Sequence, residues 1–217
     1  VKIDWKEVQL PPNAKSILDL VSIDDKIEEA LQYLASRKLD TLANWYYSDF
    51  KHFADRIVLP FYYKDVIVGY TARWIGDVPN KETPKYFLQQ QKDYVFNLDA
   101  QNYKRIFCIV VEGPFDAIGV DGVALLGSEV KDQQALAINA LNKKVILVPD
   151  RDDNGFKLME QAIELGWSVS MPDWNDDVKD VNDAVIKYGR MYTLHTIVNS
   201  TEDSELKIKL RSKKWFG

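Results

Sequence analysis

The pattern of hydrophobic and polar positions changes along the chain and divides it into regions. Residues 1–21 contain Pro11-Pro12-Asn13 and show no clear periodicity, which predicts an arm or linker. From Ile23 to Leu34 apolar residues recur at helical spacing, after Ser22 with an acidic residue three places later. This predicts a helix that begins near Ser22, and a second helix is predicted over residues 38–45.

The pattern becomes β-rich from residue 56. Two runs, 56–63 and 66–74, flank the polar pair Lys64-Asp65, which is typical of a β-hairpin. A polar, proline-containing loop is predicted over 76–85. Shorter β-like segments at 86–88 and 94–98 are expected to complete a small mixed α+β subdomain.

Beyond residue 104, continuous apolar runs alternate with helical patterns. Strands are predicted at 106–111, 123–126, 145–148 and 167–171, and helices at 133–141, at 156–165 and over Val181–Tyr188. This alternation indicates an α/β region with a parallel sheet flanked by helices, so that the whole chain is α+β. The predicted divisions are an arm (1–21), the small subdomain (22–103), the α/β domain (104–192) and a C-terminal helical tail (193–217).

Composition and charge limit the functional classes. The chain has 217 residues, of which 46% are hydrophobic and 28% charged, as in an ordinary globular protein. Its formal net charge of -5 means that any nucleic-acid surface must be a local basic patch. The single cysteine, Cys108, excludes an internal disulfide and a Cys-rich zinc site.

The chain shows neither a transmembrane stretch nor a signal peptide, which favours a cytoplasmic protein with no membrane partner. It begins with Val1 rather than Met, which suggests processing or excision from something longer.

Acidic residues follow successive predicted strands. Glu112 follows the first strand, Asp150 and Asp152 follow the third, and Asp180 follows the fourth and begins the last helix of the set. Because the carboxyl ends of parallel strands meet at one edge of a sheet, we expect these carboxylates to lie close together.

A divalent metal explains such a grouping. Neighbouring carboxylates repel one another, and a hard cation such as Mg²⁺ relieves the repulsion. Two ions, Mg²⁺ or alternatively Mn²⁺, could activate a 3′-hydroxyl and steady a leaving pyrophosphate. The alternative for each acid is a structural one, because Asp152, Asp180 and Asp183 could serve only as helix caps or first-turn charges.

Three sequence motifs resemble those of the Toprim domain, which bacterial-type primases, topoisomerases and some nucleases share. They are Ile109-Val110-Val111-Glu112-Gly113-Pro114-Phe115-Asp116-Ala117, Pro149-Asp150-Arg151-Asp152-Asp153-Asn154-Gly155 and Lys179-Asp180-Val181-Asn182-Asp183. The resemblance implies Glu112 as catalytic acid/base and metal ligand, Asp150 and Asp152 as Mg²⁺ ligands, and Asp180 as a further acidic contributor. The same motifs supply the supporting candidates Gly113, Asp116, Gly155 and Asp183.

The segment before these motifs is similar to the N-terminal subdomain of the primase polymerase core. The resemblance rests on residues 55–61, 69–73 and 84–87, and it implies that Arg56, Arg73 and Lys85 line a groove for template and nucleotide. Three segments are most similar to primases of large tailed bacteriophages: Glu112-Gly113-Pro114-Phe115-Asp116, Lys179-Asp180-Val181-Asn182-Asp183 and the closing Leu210-Arg211-Ser212-Lys213-Lys214-Trp215-Phe216. The resemblance therefore implies a DNA primase catalytic core that makes short RNA primers on single-stranded DNA from NTPs.

The chain departs from the primase pattern at two points. It carries no ligands for the family's N-terminal zinc-binding module, so we expect no zinc in this chain and a separate zinc module as a partner, beside a replicative helicase. The Asn-Ser usual after Tyr86 in bacterial members is missing, which leaves Lys92, with Lys179, as further candidates for nucleotide or template contact.

Basic residues also cluster near the end of the chain. They are Lys207, Lys209, Arg211, Lys213 and Lys214. Either a solvated helix face or a contact with template phosphate or a partner helicase would explain this cluster.

Two other functions use the same motifs. A Toprim nuclease would cut nucleic acid with the same metals, and a non-catalytic Toprim module would serve assembly or nucleic-acid binding. The basic residues Arg56, Arg73 and Lys85 favour primase over nuclease, and the intact acidic motifs weigh against a scaffold. A topoisomerase would need a tyrosine-bearing cleavage domain for which the length leaves no room.

Overall fold

The computed structural model describes residues 4–20, 25–101 and 104–217. The chain divides between Lys92 and Asp93 into two compact units. We call the described residues 4–92 the N-terminal unit and residues 93–217 the C-terminal unit. The division falls before the boundary predicted at 103/104.

The N-terminal unit is built on a five-stranded antiparallel sheet with the strands in sequence order. Its elements are β1 (Lys15–Ser16), α1 (Asp25–Ser36), β2 (Tyr46–Tyr47), β3 (Arg56–Tyr63), β4 (Val66–Trp74) and β5 (Tyr86–Gln89), with 3₁₀ turns at Ile17–Asp19 and Lys51–Phe53.

The predicted hairpin is confirmed as β3 and β4. Lys64 and Asp65 both adopt positive φ, 48° and 64°, the backbone that a two-residue turn needs to match the twist of its strands. Val58 and Ala72, opposite each other in the ladder, are fully buried and pack with Phe53. The predicted strand at 86–88 is confirmed as β5.

Two predictions for this unit are wrong. Residues 38–45 form turns rather than a helix, because Lys38 takes a left-handed φ of 55° that ends helical geometry two residues after α1. Residues 1–21 are more than an arm, because Lys15 and Ser16 pair with Tyr47 and Tyr46. The predicted cap at Ser22 lies outside the described residues.

The C-terminal unit is built on a second five-stranded sheet of order β10-β9-β8-β6-β7. Strands β6 (Phe107–Val111), β7 (Val123–Ala124), β8 (Lys144–Leu147) and β9 (Ser168–Ser170) are parallel, and β10 (Thr201–Glu202) is an antiparallel edge. The helices are α2 (Pro114–Val120), α3 (Asp132–Asn139), α4 (Asp153–Glu164), α5 (Val181–Tyr188), α6 (Arg190–Asn199) and α7 (Glu205–Trp215).

The predicted α/β fold is confirmed, with four parallel strands near their predicted positions. Continuous apolar strands are buried on both faces: Ile109, Val110 and Val111 have no exposed surface. Helix α2 has no counterpart among the elements predicted from the sequence, whereas α6 lies largely within the tail predicted as helical (193–217) and begins three residues before it. The segment 94–98 was expected in the small subdomain, but it belongs to the C-terminal unit, where Phe96 bridges Ala124 at the free edge of β7. Gln134 fixes it there by donating to the carbonyls of Tyr94 and Leu125.

Across the described ranges of the chain, no helix combines the length and the apolarity that crossing a membrane would require.

Candidate active site

Glu112 stands directly after β6, at the carboxyl end of a fully buried strand. Its carboxylate oxygen Oε1 is buried and has no hydrogen-bond partner among the described residues. Burial, followed by the negative charge of Asp152, raises the pKa of Glu112 to about 7. A carboxyl group that has a pKa near neutral pH and one oxygen without a hydrogen-bond partner suits a general acid/base or a metal ligand.

Asp150 and Asp152 occupy the turn between β8 and α4. Asp152 is the N-cap of α4, and its Oδ1 accepts the backbone N–H groups of Asn154 and Gly155, both at 2.9 Å. Burial, and then the charges of the neighbouring carboxylates, raise the pKa of Asp150 to about 10. Gly155 closes the turn, because a Cβ on it would lie 2.0 Å from the carbonyl oxygen of Asp150.

The third acidic motif begins α5. Asp180 is the N-cap and accepts the N–H of Asp183 at 2.7 Å, while Asp183 accepts the N–H of Lys179 at 3.3 Å. Asp116, from the first turn of α2, is buried and accepts the N–H of Asn182 at 2.8 Å. It therefore joins the beginnings of α2 and α5. Burial and the charge of Asp180 hold the pKa of Asp116 well above its usual range.

The structure thus brings the predicted acids close enough for their charges to interact. Neighbouring carboxylates of the same group raise the pKa values of Glu112, Asp116 and Asp150. We call Glu112, Asp116, Asp150, Asp152 and Asp180 the acidic edge. The capping roles of Asp152 and Asp180 are also real. The capping explanation is therefore confirmed for Asp152 and Asp180, and a role of the same residues as metal ligands stays a prediction.

The acidic edge suits a hard divalent cation by its chemistry. It supplies only carboxylate oxygens, the donors that Mg²⁺ and Mn²⁺ prefer, and it includes the orphaned Oε1 of Glu112. Within the part of the chain that the structure describes, however, no three His, Cys, Asp or Glu side chains converge closely enough to hold an ion as they lie. Metal binding here remains a prediction.

Comparison with known proteins agrees with this arrangement. A family model described as Toprim-like matches residues 109–185, the stretch that carries all five acids. Residues 109–185 of the C-terminal unit are therefore Toprim-like, and we refer to this region as the Toprim domain. The DNA primase of Aquifex aeolicus is 27% identical over 219 residues, which cover 91% of this chain and 42% of that protein. The chain thus spans less than half the length of this relative.

Solved structures agree on the fold. A DnaG primase catalytic domain bound to ssDNA matches 88% of this chain and 77% of its own, with a TM-score of 0.65 at 17% identity. The zinc-binding and RNA polymerase domains of the Aquifex aeolicus primase match 89% of this chain and 56% of theirs, with a TM-score of 0.56 at 22% identity. The chain therefore has the fold of a DnaG-type primase catalytic core.

The N-terminal unit contains the basic residues that were predicted to line a groove for template and nucleotide. Arg56 is only 1% exposed, and its guanidinium donates to the carbonyls of His52, Ala72, Lys85 and Pro84. It also stacks on Phe87, 3.8 Å from the ring centre. These contacts give Arg56 a structural role. Its predicted contact with template or nucleotide stays a prediction.

The remaining basic candidates are placed differently. Arg73 is buried and donates to the hydroxyls of Tyr33 and Tyr86. Lys85 and Lys92 are exposed in the N-terminal unit, and Lys179 is exposed beside Asp180 in the Toprim domain. Contact of these four with template or nucleotide stays a prediction.

Arg56→Met is expected to lower the free energy of unfolding of the N-terminal unit by about 2–4 kcal/mol. The change keeps an apolar stem of similar length but leaves buried carbonyls without their donor. Urea denaturation followed by circular dichroism measures the effect. Lys85→Met is the control: Lys85 is exposed, so its stability should change by less than about 0.5 kcal/mol. Equal effects in the two variants would contradict a structural role for Arg56.

The basic cluster at the end of the chain lies on α7, the helix that follows the Toprim domain. Most of its members face acids, which agrees with a solvated helix face: Lys207 and Arg211 with Glu202, Lys209 with Glu205, and Lys214 with Asp173.

Arg151 is the residue whose role the sequence did not show. It stands between Asp150 and Asp152, and its guanidinium packs 4.1 Å from the ring centre of Trp215. The only signal was an arginine placed between two acids, which by itself is equally typical of a solvated turn.

Proposed function

We propose that the chain is the catalytic core of a DNA primase, which joins NTPs into short RNA primers on single-stranded DNA. The acidic edge carries the proposal, because it places Glu112, Asp150 and Asp152 of a Toprim domain where their charges interact. The similarity to the Aquifex aeolicus DNA primase supports it over most of the chain.

The residues divide the work in this proposal. Glu112, with a pKa of about 7, accepts the proton of the attacking 3′-hydroxyl at neutral pH. Asp150, Asp152 and Asp180 hold divalent ions, with Mg²⁺ the first choice and two ions the expected number. When bound, such ions neutralise the triphosphate and stabilise the leaving pyrophosphate. Arg73, Lys85, Lys92 and Lys179 contact nucleotide and template phosphates.

Extension of an annealed RNA primer tests the proposal most directly. A primer that is already in place removes the need for template recognition, so a missing zinc-binding module does not obscure the result. We expect the chain to add NTPs to the primer in the presence of Mg²⁺ or Mn²⁺ and to stop when EDTA is added. Labelled products separated on a denaturing gel provide the measurement. No extension with either metal would contradict the proposal.

A Toprim nuclease is the second candidate, since the same acids could direct water at a phosphodiester. Incubation with labelled DNA and Mg²⁺ but no NTP separates the two functions. Shortened DNA would favour the nuclease. Absence of both metal binding and extension would favour a non-catalytic module.

Partners belong to the same proposal. The similar Aquifex aeolicus structure contains a zinc-binding domain besides its RNA polymerase domain. We propose that a zinc-binding module supplies template recognition for initiation here too. We also propose a replicative helicase as a partner, on the basis of the family resemblance, and a cytoplasmic location. Co-purification from the native cell would test the helicase.

A further inference from the structure

Arg151 connects two of the acidic turns through the backbone. Its own N–H donates to the carbonyl of Lys179 at 2.9 Å, directly before Asp180. Its guanidinium donates to the carbonyls of Asn175 and Trp174, each at 3.0 Å. One residue between Asp150 and Asp152 thus makes three hydrogen bonds to the segment that leads to Asp180.

Trp215 of α7 completes this arrangement. Its ring lies under the Arg151 guanidinium, and its indole Nε1 donates to the carbonyl of Pro149 at 3.1 Å. Pro149 directly precedes Asp150. Trp174, whose carbonyl Arg151 binds, packs 5.8 Å from Trp215 and is itself fixed by donating to Thr196 at 3.0 Å. The last helix of the chain therefore contacts both the Arg151 guanidinium and the residue that precedes Asp150.

Only arginine fits these contacts. A planar fork can reach two successive carbonyls while lying flat on an indole, and the point charge of a lysine cannot. The Arg151 side chain is 13% exposed, and its Nε is buried without a partner among the described residues. The side chain lines a cavity of about 250 Å³ together with Trp215 and Arg211. The hydrogen bonds to the carbonyls of Trp174 and Asn175, and an ion pair with Asp176 at 3.9 Å, offset part of the cost of burying this cation.

We infer that Arg151 is a positioning residue that holds the Asp150–Asp152 turn and the Asp180 segment in one arrangement, with Trp215 as its platform. The inference rests on the proposed function to the extent that the acidic edge binds a divalent ion. Arg151 itself donates nothing to the reacting groups. Residues that orient metal ligands from outside typically change metal affinity by 10–100-fold when replaced.

Electrostatics alone predicts the opposite sign. A positive charge between two proposed ligands repels a cation, so its removal by Arg151→Ala should tighten metal binding. A positioning role predicts weaker binding in Arg151→Ala. It also predicts weaker binding in Arg151→Lys, which keeps the charge but loses the two-carbonyl fork and the stack.

Mn²⁺ binding followed by electron paramagnetic resonance tests the inference without any primer assay. We expect the Mn²⁺ Kd to rise about 10-fold in both Arg151→Lys and Arg151→Ala. Arg105→Lys and Arg105→Ala are matched controls. Arg105 also donates to two successive carbonyls, those of Val120 and Asp121, and lies 5.1 Å from the ring centre of Phe107, but it precedes β6 rather than following a strand. Its variants should keep the wild-type Kd within about twofold.

Trp215→Phe provides a second test of the inference if the Arg151 variants fail to fold. It keeps a ring under the guanidinium but loses the donor to Pro149, so we expect a smaller rise in the Mn²⁺ Kd. Tighter binding in Arg151→Ala, or an unchanged Kd in all three variants, would overturn the inference. Wild-type protein that binds no Mn²⁺ would overturn it as well. If the wild-type protein bound Mn²⁺ but did not extend a primer, that result would count against the proposed function alone.

Discussion

Asp150→Asn is expected to abolish nucleotide transfer and, at the same time, to stabilise the metal-free protein. The proposed activity should fall by at least about 1,000-fold, roughly 4 kcal/mol of transition-state stabilisation, because the variant loses the carboxylate of a proposed metal ligand. The stability should rise, because burial among other carboxylates raises the pKa of Asp150, so that folding at neutral pH costs the uptake of a proton. The isosteric amide needs no proton and leaves no cavity. We expect a gain of about 1–3 kcal/mol in EDTA.

The sign of the pH dependence follows from the raised pKa of Asp150. With a folded pKa of about 10 and an ordinary unfolded value, the folded protein holds a proton that the unfolded chain releases. The stability contributed by this group is therefore present at low pH and is lost as the pH rises between the two values. The advantage of Asp150→Asn should grow from pH 5 to pH 8. It should shrink when Mg²⁺ is added, because the ion neutralises the wild-type acids.

Thermal unfolding in EDTA at several pH values measures this effect, at about 2–4 °C per kcal/mol for a chain of this size. Asp203→Asn is a control in the same unit for which we expect the opposite change in stability. Asp203 accepts from Lys144 and Ser168, and these contacts lower its pKa, so its replacement should destabilise. A lower Tm for Asp150→Asn in EDTA would show that the acidic edge is not electrostatically strained. Full activity in Asp150→Asn would contradict a ligand role for Asp150.

The sheet of the C-terminal unit could be predicted because its strands are unambiguous. Val110 and Val111 belong to an apolar run that only a doubly covered strand explains, and Glu112 follows that run directly. The order of strands and acids along the chain is therefore enough to predict that the carboxylates lie at one edge. Local sequence and fold agree here, which is what makes such a region predictable.

The sequence was less informative where tertiary contacts decide the structure. Helix α2 begins at Pro114 within a motif, and Lys38 ends a helical pattern by adopting positive φ, which no periodicity reveals. Arg56 was predicted to line a groove for template and nucleotide, yet carbonyls of three separate segments converge on it. Arg151 likewise acquires its role from Trp174 and Trp215, residues distant in sequence. Such roles depend on which backbone groups the fold leaves without partners.

Gly155→Ala is expected to destabilise the C-terminal unit, although helix propensity alone predicts the reverse. Gly155 lies in the first turn of α4, where alanine would be favoured by about 1 kcal/mol. The added Cβ, however, would lie 2.0 Å from the Asp150 carbonyl oxygen and 2.9 Å from both the nitrogen and the carbonyl carbon of that residue. These are backbone atoms, so no side-chain rotation relieves the contact. We expect a net loss of about 3 kcal/mol, at the upper end for overpacked sites.

The same displacement should impair catalysis in the molecules that remain folded. Moving the Asp150 backbone by about 1 Å shifts a proposed ligand, and misplacements of that size can cost about 100-fold in rate. Thermal unfolding and primer extension at low temperature measure the two effects separately. Gly127→Ala is the matched control, because its Cβ would meet nothing within 4 Å, and it should keep both stability and activity. A Gly155→Ala protein as stable and active as Gly127→Ala would mean that the turn between β8 and α4 yields without moving Asp150, and that close packing of Gly155 is not what positions the acidic edge.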